Sequence, residues 1–234
     1  MRDETASSPV FQEITHVPSQ EHPLKRCFDL LLASLGLVFS LPLWLIIGLA
    51  VKTEDGGPLF YSQERVGRGG RKFKIVKFRS MVPDAERQTG PVWASENDGR
   101  VTRVGRILRA TALDELPQLW NILKGDISFV GPRAERPEFV QKFRKTIRNY
   151  DLRLSVRPGL TGLAQVYGRY DSGPRQKLHY DLLYIKKHTV WLDVKLTALS
   201  FWVTFRGKWE SRGKKFSFAP GWRLKKPRGT RRAR

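Results

Sequence analysis

The stretch LLLASLGLVFSLPLWLIIGLAV, residues 30–51, decides what kind of protein this is. Its 22 residues carry no charge. At about 1.5 Å per residue, a straight helix of that length reaches roughly 33 Å, enough to cross the hydrocarbon core of a bilayer. The run is too long and begins too late for a signal peptide, and no small-residue cleavage site follows it. Pro42 stands near its middle, two residues after Ser40. A proline there removes one backbone hydrogen bond and kinks the helix. Two legs of about eleven residues, roughly 16 Å each, can enter and leave through one face. Lys25 and Arg26 precede the run and Lys52 follows it, which favours the cytoplasm for both ends. The expectation is a re-entrant helix over 24–52, broken at Ser40 and Pro42; a simple span is the alternative.

Outward from this segment the chain is polar and strongly basic. It has 234 residues, with 43 Lys and Arg against 22 Asp and Glu, a net charge of +21. Such a balance points to anionic partners and says little about fold. One cysteine, Cys27, excludes an internal disulfide and any multi-cysteine zinc site. Residues 1–23 read as a disordered arm. Leu59–Val66 and Lys72–Arg79, separated by Gly69-Gly70, read as a β-hairpin. Gln88–Gly99 is a polar loop, and Val101–Leu108 a short strand or helix. Leu116–Leu123 predicts a helix ending at Gly125. Arg136–Leu154, Leu178–Ile185 and Val190–Phe205 show helical spacing. Residues 206–234 hold twelve Lys and Arg against Glu210, with Trp209, Phe216, Phe218 and Trp222 among them. Beside a membrane segment, that tail reads as a surface for anionic lipid, each basic residue being worth about 1 kcal/mol there. A solvated tail and a nucleic-acid arm are the other readings.

Several familiar sites are absent: a phosphate-binding P-loop, a dinucleotide fingerprint, a zinc-protease His pair, a nucleophile elbow and any Asp-x-Asp. The four histidines are scattered, which disfavours histidine chemistry. Acids are scarce, so Asp114-Glu115 stands out. A helix start accounts for acids at that place. It does not account for the cations of neighbouring segments, Lys77, Arg79, Arg103, Arg106, Arg109, Arg133, Arg136 and Arg157. Arginines hold phosphate oxygens, and an aspartate can attack phosphorus to give an acyl phosphate. A hard divalent cation, Mg²⁺ above all, suits a carboxylate facing a diphosphate.

Five segments occur in order behind the apolar run: KFRSM (77–81), DELPQ (114–118), NILKGD (121–126), SFVGPR (128–133) and RPGLTG (157–162). Together they closely resemble the bacterial sugar transferase family, the monotopic phosphoglycosyl transferases, over roughly Leu24 to Phe205. The resemblance implies transfer of a sugar-1-phosphate from a nucleotide-diphosphate sugar to polyprenol phosphate, which initiates polysaccharide or glycoconjugate assembly. It makes Asp114 the nucleophile and Glu115 its partner in handling metal or proton, the two together as Mg²⁺ ligands. Lys77, Arg79, Arg109, Pro132, Arg133 and Arg157 become the substrate-binding set, with Pro132-Arg133 at the nucleotide. The implied fold is α/β, helix-rich and irregular: a monotopic catalytic domain over 53–205 with interfacial amphipathic helices. The implied location is the cytoplasmic face of a bacterial inner membrane. Larger family members carry further N-terminal membrane helices and a nucleotide-binding-like domain; these residues resemble the minimal catalytic form. The rival reading is a membrane-tethered nucleic-acid-binding protein that uses the basic tail; as a transferase the chain has no nucleic acid among its partners. The motifs assign no oligomeric state.

Overall fold

A computed structural model of the chain describes residues 22–87, 90, 92, 98–168 and 173–205. The arm before residue 22, most of the polar loop 88–99 and the tail 206–234 lie outside the described residues.

Helix α1 spans Pro23–Asp55, longer at both ends than the expected 24–52. Pro23 opens it in the first turn, where its missing N–H costs nothing, and the His22 ring accepts a hydrogen bond from the Leu24 N–H. Gly56, left-handed at φ 70°, closes it. The helix continues through Pro42 as one element. The Ser40 hydroxyl donates to the Leu37 carbonyl and accepts from the Trp44 indole, 3.0 Å away. By length and composition α1 can cross a membrane, and most of its apolar side chains are exposed, Phe39 and Leu45 each by nearly four-fifths.

What α1 does bury fastens it to the rest of the chain at both ends. The Lys25 ammonium lies 2.7 Å from Asp193 and also donates to the Val130 carbonyl. Asp29 accepts from the Ser128 hydroxyl and the Phe129 N–H. Arg26 donates to the carbonyls of Ile122 and Leu123. At the far end, Asp55 forms a two-pronged pair with Arg79, while Glu54 accepts from the N–H groups of Arg103 and Val104.

The predicted hairpin is present as β1 (Phe60–Val66) and β2 (Lys72–Phe78), antiparallel, with Tyr61 opposite Lys77 and Arg65 opposite Phe73. Its turn needs Gly69 and Gly70, both at positive φ. The segment after 101 is helical, α2 (Arg103–Ala110), capped by the Thr102 hydroxyl. A 3-10 turn, Leu113–Glu115, leads into α3 (Gln118–Lys124), which ends at left-handed Gly125 as predicted. A parallel pair follows that the sequence did not suggest, β3 (Ser128–Val130) and β4 (Gly159–Thr161). These strands approach so closely through Gly131 and Gly159 that a Cβ on Gly159 would lie 2.1 Å from the Gly131 nitrogen. The single helix expected over 136–154 is two pieces, α4 (Pro137–Thr146) and a 3-10 segment Tyr150–Ser155, parted by extended Ile147 and left-handed Asn149. Then come α5 (Leu163–Tyr167), α6 (Pro174–Lys187) and α7 (Val190–Phe205).

The main core gathers Ile122, Ile127, Val130, Leu178, Leu182 and Ile185 between α3, the β3–β4 pair and α6. A smaller core joins α1 to the hairpin and α2 through Ile47, Val51, Phe78 and Leu108, with the Trp44 ring edge-on to Phe78 at 5.2 Å. The result is a helix-rich body with two small sheets and one long apolar helix along it.

Candidate active site

Asp114 and Glu115 occupy the 3-10 turn between α2 and α3. Leu113 and Leu116, on either side of them, pack into the smaller core, which anchors the turn. The chain enters it through Ala112 at φ 55°, a conformation that costs a non-glycine residue about 1–3 kcal/mol and persists only where the surroundings impose it. The turn thereby sets both carboxylates against the hairpin, with the Asp114 side chain 8% exposed and that of Glu115 19%.

Lys77 reaches over from β2. Its ammonium is 2.5 Å from Glu115 Oε1 and 3.7 Å from Asp114 Oδ2. Arg133, just past β3, donates to the same Glu115 oxygen at 3.1 Å. The two acids therefore differ in kind. Burial works against ionisation of Glu115, but Lys77 and Arg133 outweigh it and hold the group at about 2. Burial raises the pKa of Asp114 above its ordinary value, and the Glu115 charge adds to this against the pull of Lys77. Glu115 is a fixed anion with two cations on one of its oxygens, while Asp114 is the more basic, less committed carboxylate. Environments that push two acids apart in this way mark a division of labour between them.

Asp114 opens onto a cleft of about 1090 Å³ whose walls also include Lys77, Arg79, Arg109, Arg133 and Arg153. The structure thus brings five of the sequence-predicted residues to one space, with Glu115 directly behind them. Arg109 donates through Nε to the Ser80 hydroxyl at 3.0 Å. Arg79 is largely committed elsewhere: it donates to both Asp55 oxygens and to the carbonyls of Pro58 and Met81. It ties the end of α1 to the cleft wall and keeps one N–H of its five for a ligand. Pro132 and Arg157 are not among the lining residues. Their part of the chain clamps β3 to β4, the Pro132 carbonyl accepting from the Gly159 N–H.

Sequence reasoning missed several cleft residues. Arg153, buried with Asp181, donates to the Tyr150 hydroxyl, to Asp181 and to the Arg133 carbonyl, so it fixes the backbone that carries Arg133. Arg136, counted among the neighbouring cations in the sequence but not among the substrate ligands, lines the cleft and pairs with both oxygens of Glu86. Tyr61, Gln63 and Arg65 line the cleft from alternate positions of β1. Strand alternation was the available signal for these three. No sequence signal reports the Arg153–Asp181 pair. The histidines His179 and His188 are not among the lining residues either.

Asp114 and the second oxygen of Glu115 are the donors left for a Mg²⁺ ion, which is commonly held by one or two carboxylates together with substrate phosphates. Among the described residues, no three His, Cys, Asp or Glu side chains cluster as a self-sufficient metal site. The donor set therefore fits a shared ion completed by a phosphorylated ligand.

A family model, bacterial sugar transferase, matches residues 20–207. Among curated relatives, the chain is 44% identical over 174 residues to the UDP-N-acetylgalactosamine-undecaprenyl-phosphate N-acetylgalactosaminephosphotransferase of Aeromonas hydrophila, covering 73% of this chain and 41% of the relative. It is 42% identical over 189 residues to the UDP-glucose:undecaprenyl-phosphate glucose-1-phosphate transferase of Klebsiella pneumoniae, covering 79% and 40%. A putative undecaprenyl-phosphate N-acetylgalactosaminyl 1-phosphate transferase of Bacillus subtilis is 49% identical over 131 residues, 56% of this chain and 73% of the relative. The chain spans about two fifths of the length of the first two.

Proposed function

The chain belongs to the bacterial sugar transferase family, and from that premise we propose that it transfers a sugar-1-phosphate from a UDP-sugar to undecaprenyl phosphate. The observation that carries this reading is the unequal carboxylate pair, Asp114 raised and Glu115 held down, in a cationic cleft beside an exposed apolar helix.

In this reading an Asp114 oxygen attacks the sugar-proximal phosphorus. The bond from that phosphorus to the bridging oxygen breaks, and its electron pair leaves with the nucleoside monophosphate. An oxygen of the polyprenol phosphate then attacks the aspartyl-phosphosugar, forms the lipid diphosphate sugar and releases the Asp114 carboxylate. Glu115 holds Lys77 and Arg133 at the reacting phosphate, where their charge is in place before the reaction begins. Arg109 stands on the wall nearer α2 and is assigned to the acceptor phosphate. Asp114 and Glu115 would hold Mg²⁺, which supplies neutralisation of diphosphate charge.

The acceptor is a lipid and the donor is water-soluble, so the site has to lie at a membrane surface. Support for this comes from the fastening of α1. Both its ends bond to the same body, which supports a pose with both ends on one side of the bilayer and the exposed apolar face of the helix in the lipid. Trp120 on α3 and Ile107 on α2, both exposed, sit on helices that pack against α1 and extend the apolar surface. We place that surface on the cytoplasmic leaflet.

The test is a panel of UDP-sugars with undecaprenyl phosphate and Mg²⁺, read by nucleotide release. Asp114→Asn keeps the size of the side chain and removes its nucleophilicity, so turnover should fall by several orders of magnitude. A variant that keeps more than about a tenth of the rate excludes the covalent route. With UDP-sugar alone, the unmodified enzyme should carry a phosphosugar adduct on Asp114.

A further inference from the structure

Most guanidiniums in the cleft wall are neutralised within the protein. Arg79 pairs with Asp55, Arg100 with Asp98, Arg133 with Glu115, Arg136 with Glu86, and Arg153 with Asp181. Arg65 differs. Among the described residues no carboxylate lies within ion-pair distance of it. It donates to the Ala134 carbonyl at 3.1 Å and to the Gln63 side chain at 2.5 Å, and its buried Nε has no hydrogen-bond partner. Burial, and then the like charges of Arg133 and Arg136, hold its pKa down at about 10 against the more distant pull of Glu135. An inward-facing cation with an unpartnered Nε, two cations as neighbours and Glu135 beyond ion-pair distance is a standing cost to the empty protein. An anion seated there relieves it, and the planar fork of arginine matches phosphate.

The position of Arg65 says which anion. Its bond to Ala134 places the guanidinium beside Arg133. Along the hairpin it stands four residues, about 13 Å, beyond the level of Lys77. Asp114 feels Lys77, Arg109 and Arg133, whereas Arg65 feels Arg133 and Arg136. The order along the cleft is Asp114, Arg133, Arg65.

We propose that Arg65 and Arg133 form the subsite for the phosphate of the departing nucleoside monophosphate, the phosphate one step beyond the phosphorus that Asp114 attacks. This rests on the transferase reading above. When the phosphorus–oxygen bond to the bridging oxygen breaks, that phosphate gains one negative charge, and Arg65 is the cation beside Arg133 that has no carboxylate within ion-pair distance among the described residues, Arg109 standing instead near Asp114. The subsite therefore favours the product of the first step over the intact donor, and the enzyme should be inhibited by the nucleotide it releases.

The experiment measures uridine monophosphate binding to the full chain in detergent by calorimetry, for the unmodified protein, Arg65→Gln, Arg65→Lys and the surface control Arg144→Gln. Loss of a charge-assisted contact predicts roughly 10- to 100-fold weaker binding for Arg65→Gln, an intermediate loss for Arg65→Lys and no change for Arg144→Gln. Thermal unfolding checks that each variant is folded, and uridine monophosphate should raise the melting temperature of the unmodified protein but not of Arg65→Gln. The KM for undecaprenyl phosphate should not change in Arg65→Gln. Unchanged nucleotide binding in a folded Arg65→Gln overturns the subsite and leaves the transferase reading standing. A raised KM for undecaprenyl phosphate with nucleotide binding intact assigns Arg65 to the acceptor instead and also overturns it. If the unmodified protein neither binds uridine monophosphate nor turns over any UDP-sugar, the transferase reading falls and the subsite with it.

Discussion

Replacing Lys25 by methionine should unfasten α1 from the body. In the folded chain the Lys25 ammonium is 4% exposed and Asp193 1%, at 2.7 Å; Lys25 also donates to the Val130 carbonyl, and the Tyr184 hydroxyl, with one hydrogen to give, lies 2.8 Å from Asp193 and 3.1 Å from that carbonyl. Lys25→Met leaves the Asp193 carboxylate buried with one hydroxyl for company. Breaking a buried pair in this way costs about 3–5 kcal/mol. For a chain of this size, 1 kcal/mol moves the melting temperature by about 2–4 °C, so the variant should melt roughly 6–20 °C lower. Adding Asp193→Leu removes the stranded charge. The Tyr184 hydroxyl, 3.1 Å from the Val130 carbonyl, can then serve that oxygen alone. The double variant should recover at least half of the loss, because a well-packed apolar pair is often no worse than the ion pair it replaces. Thermal unfolding in detergent, followed by circular dichroism, reads all four corners of the cycle. A single variant that melts within 2 °C of the unmodified protein would show that the pair carries no weight. A double variant as unstable as the sum of its singles would refute the stranded-charge argument.

Three further outcomes follow from the site and the membrane segment. The acid limb of the rate profile should belong to Asp114: its pKa is raised, the attacking form is the ionised one, and Glu115, held near 2, stays charged throughout, so activity is lost as pH falls through the Asp114 value. Glu115→Gln removes a like charge and should shift that limb to lower pH; a shift to higher pH would reverse the assignment. The exposed native Cys27 and a cysteine at Ser62, placed in a Cys27→Ser background, should react with an impermeant maleimide from the same side of sealed vesicles; reaction from opposite sides establishes a simple span. Deleting 206–234, outside the described residues, should abolish preference for anionic over neutral liposomes while leaving turnover in detergent unchanged, and equal preference with and without the tail would redirect its charge to another partner.

The legible parts of the fold were those with local causes. The hairpin was readable because its residues alternate and two glycines mark its turn. The end of α3 was readable because Gly125 accepts φ 87° at no steric cost, and α7 has the bounds its apolar run suggested. The β3–β4 pair was not readable, because three-residue strands are too short to show a period and their pairing joins residues about thirty apart. The break after Thr146 was hidden by apolar residues that keep helical spacing on both sides of it. At the site, the acids were visible as a motif, but their inequality was not. It arises from Lys77 and Arg133 converging on one oxygen of Glu115, and those cations come from β2 and from just past β3, 38 and 18 residues away in opposite directions. Arg79 looked like a free phosphate ligand because its partner Asp55, 24 residues earlier, lies in the last turn of a helix read for its apolarity alone.

The fastening of α1 also sets a timetable for making the protein. Lys25 and Asp193 are 168 residues apart. At about 5–20 residues per second, a ribosome needs roughly 8–34 s to pass from one to the other. For roughly the first hundred residues of that interval the nascent chain displays a long apolar helix whose first turns await their partners at 122–130, and the Lys25 ammonium waits for its carboxylate to the end of it. Whatever inserts it acts on a segment judged by hydrophobicity alone, before the body that will define its resting pose has been synthesised. Final seating is thus a late event in biogenesis, completed when α7 emerges, and a chain stopped short of residue 193 would carry its membrane helix without the lock that orients it.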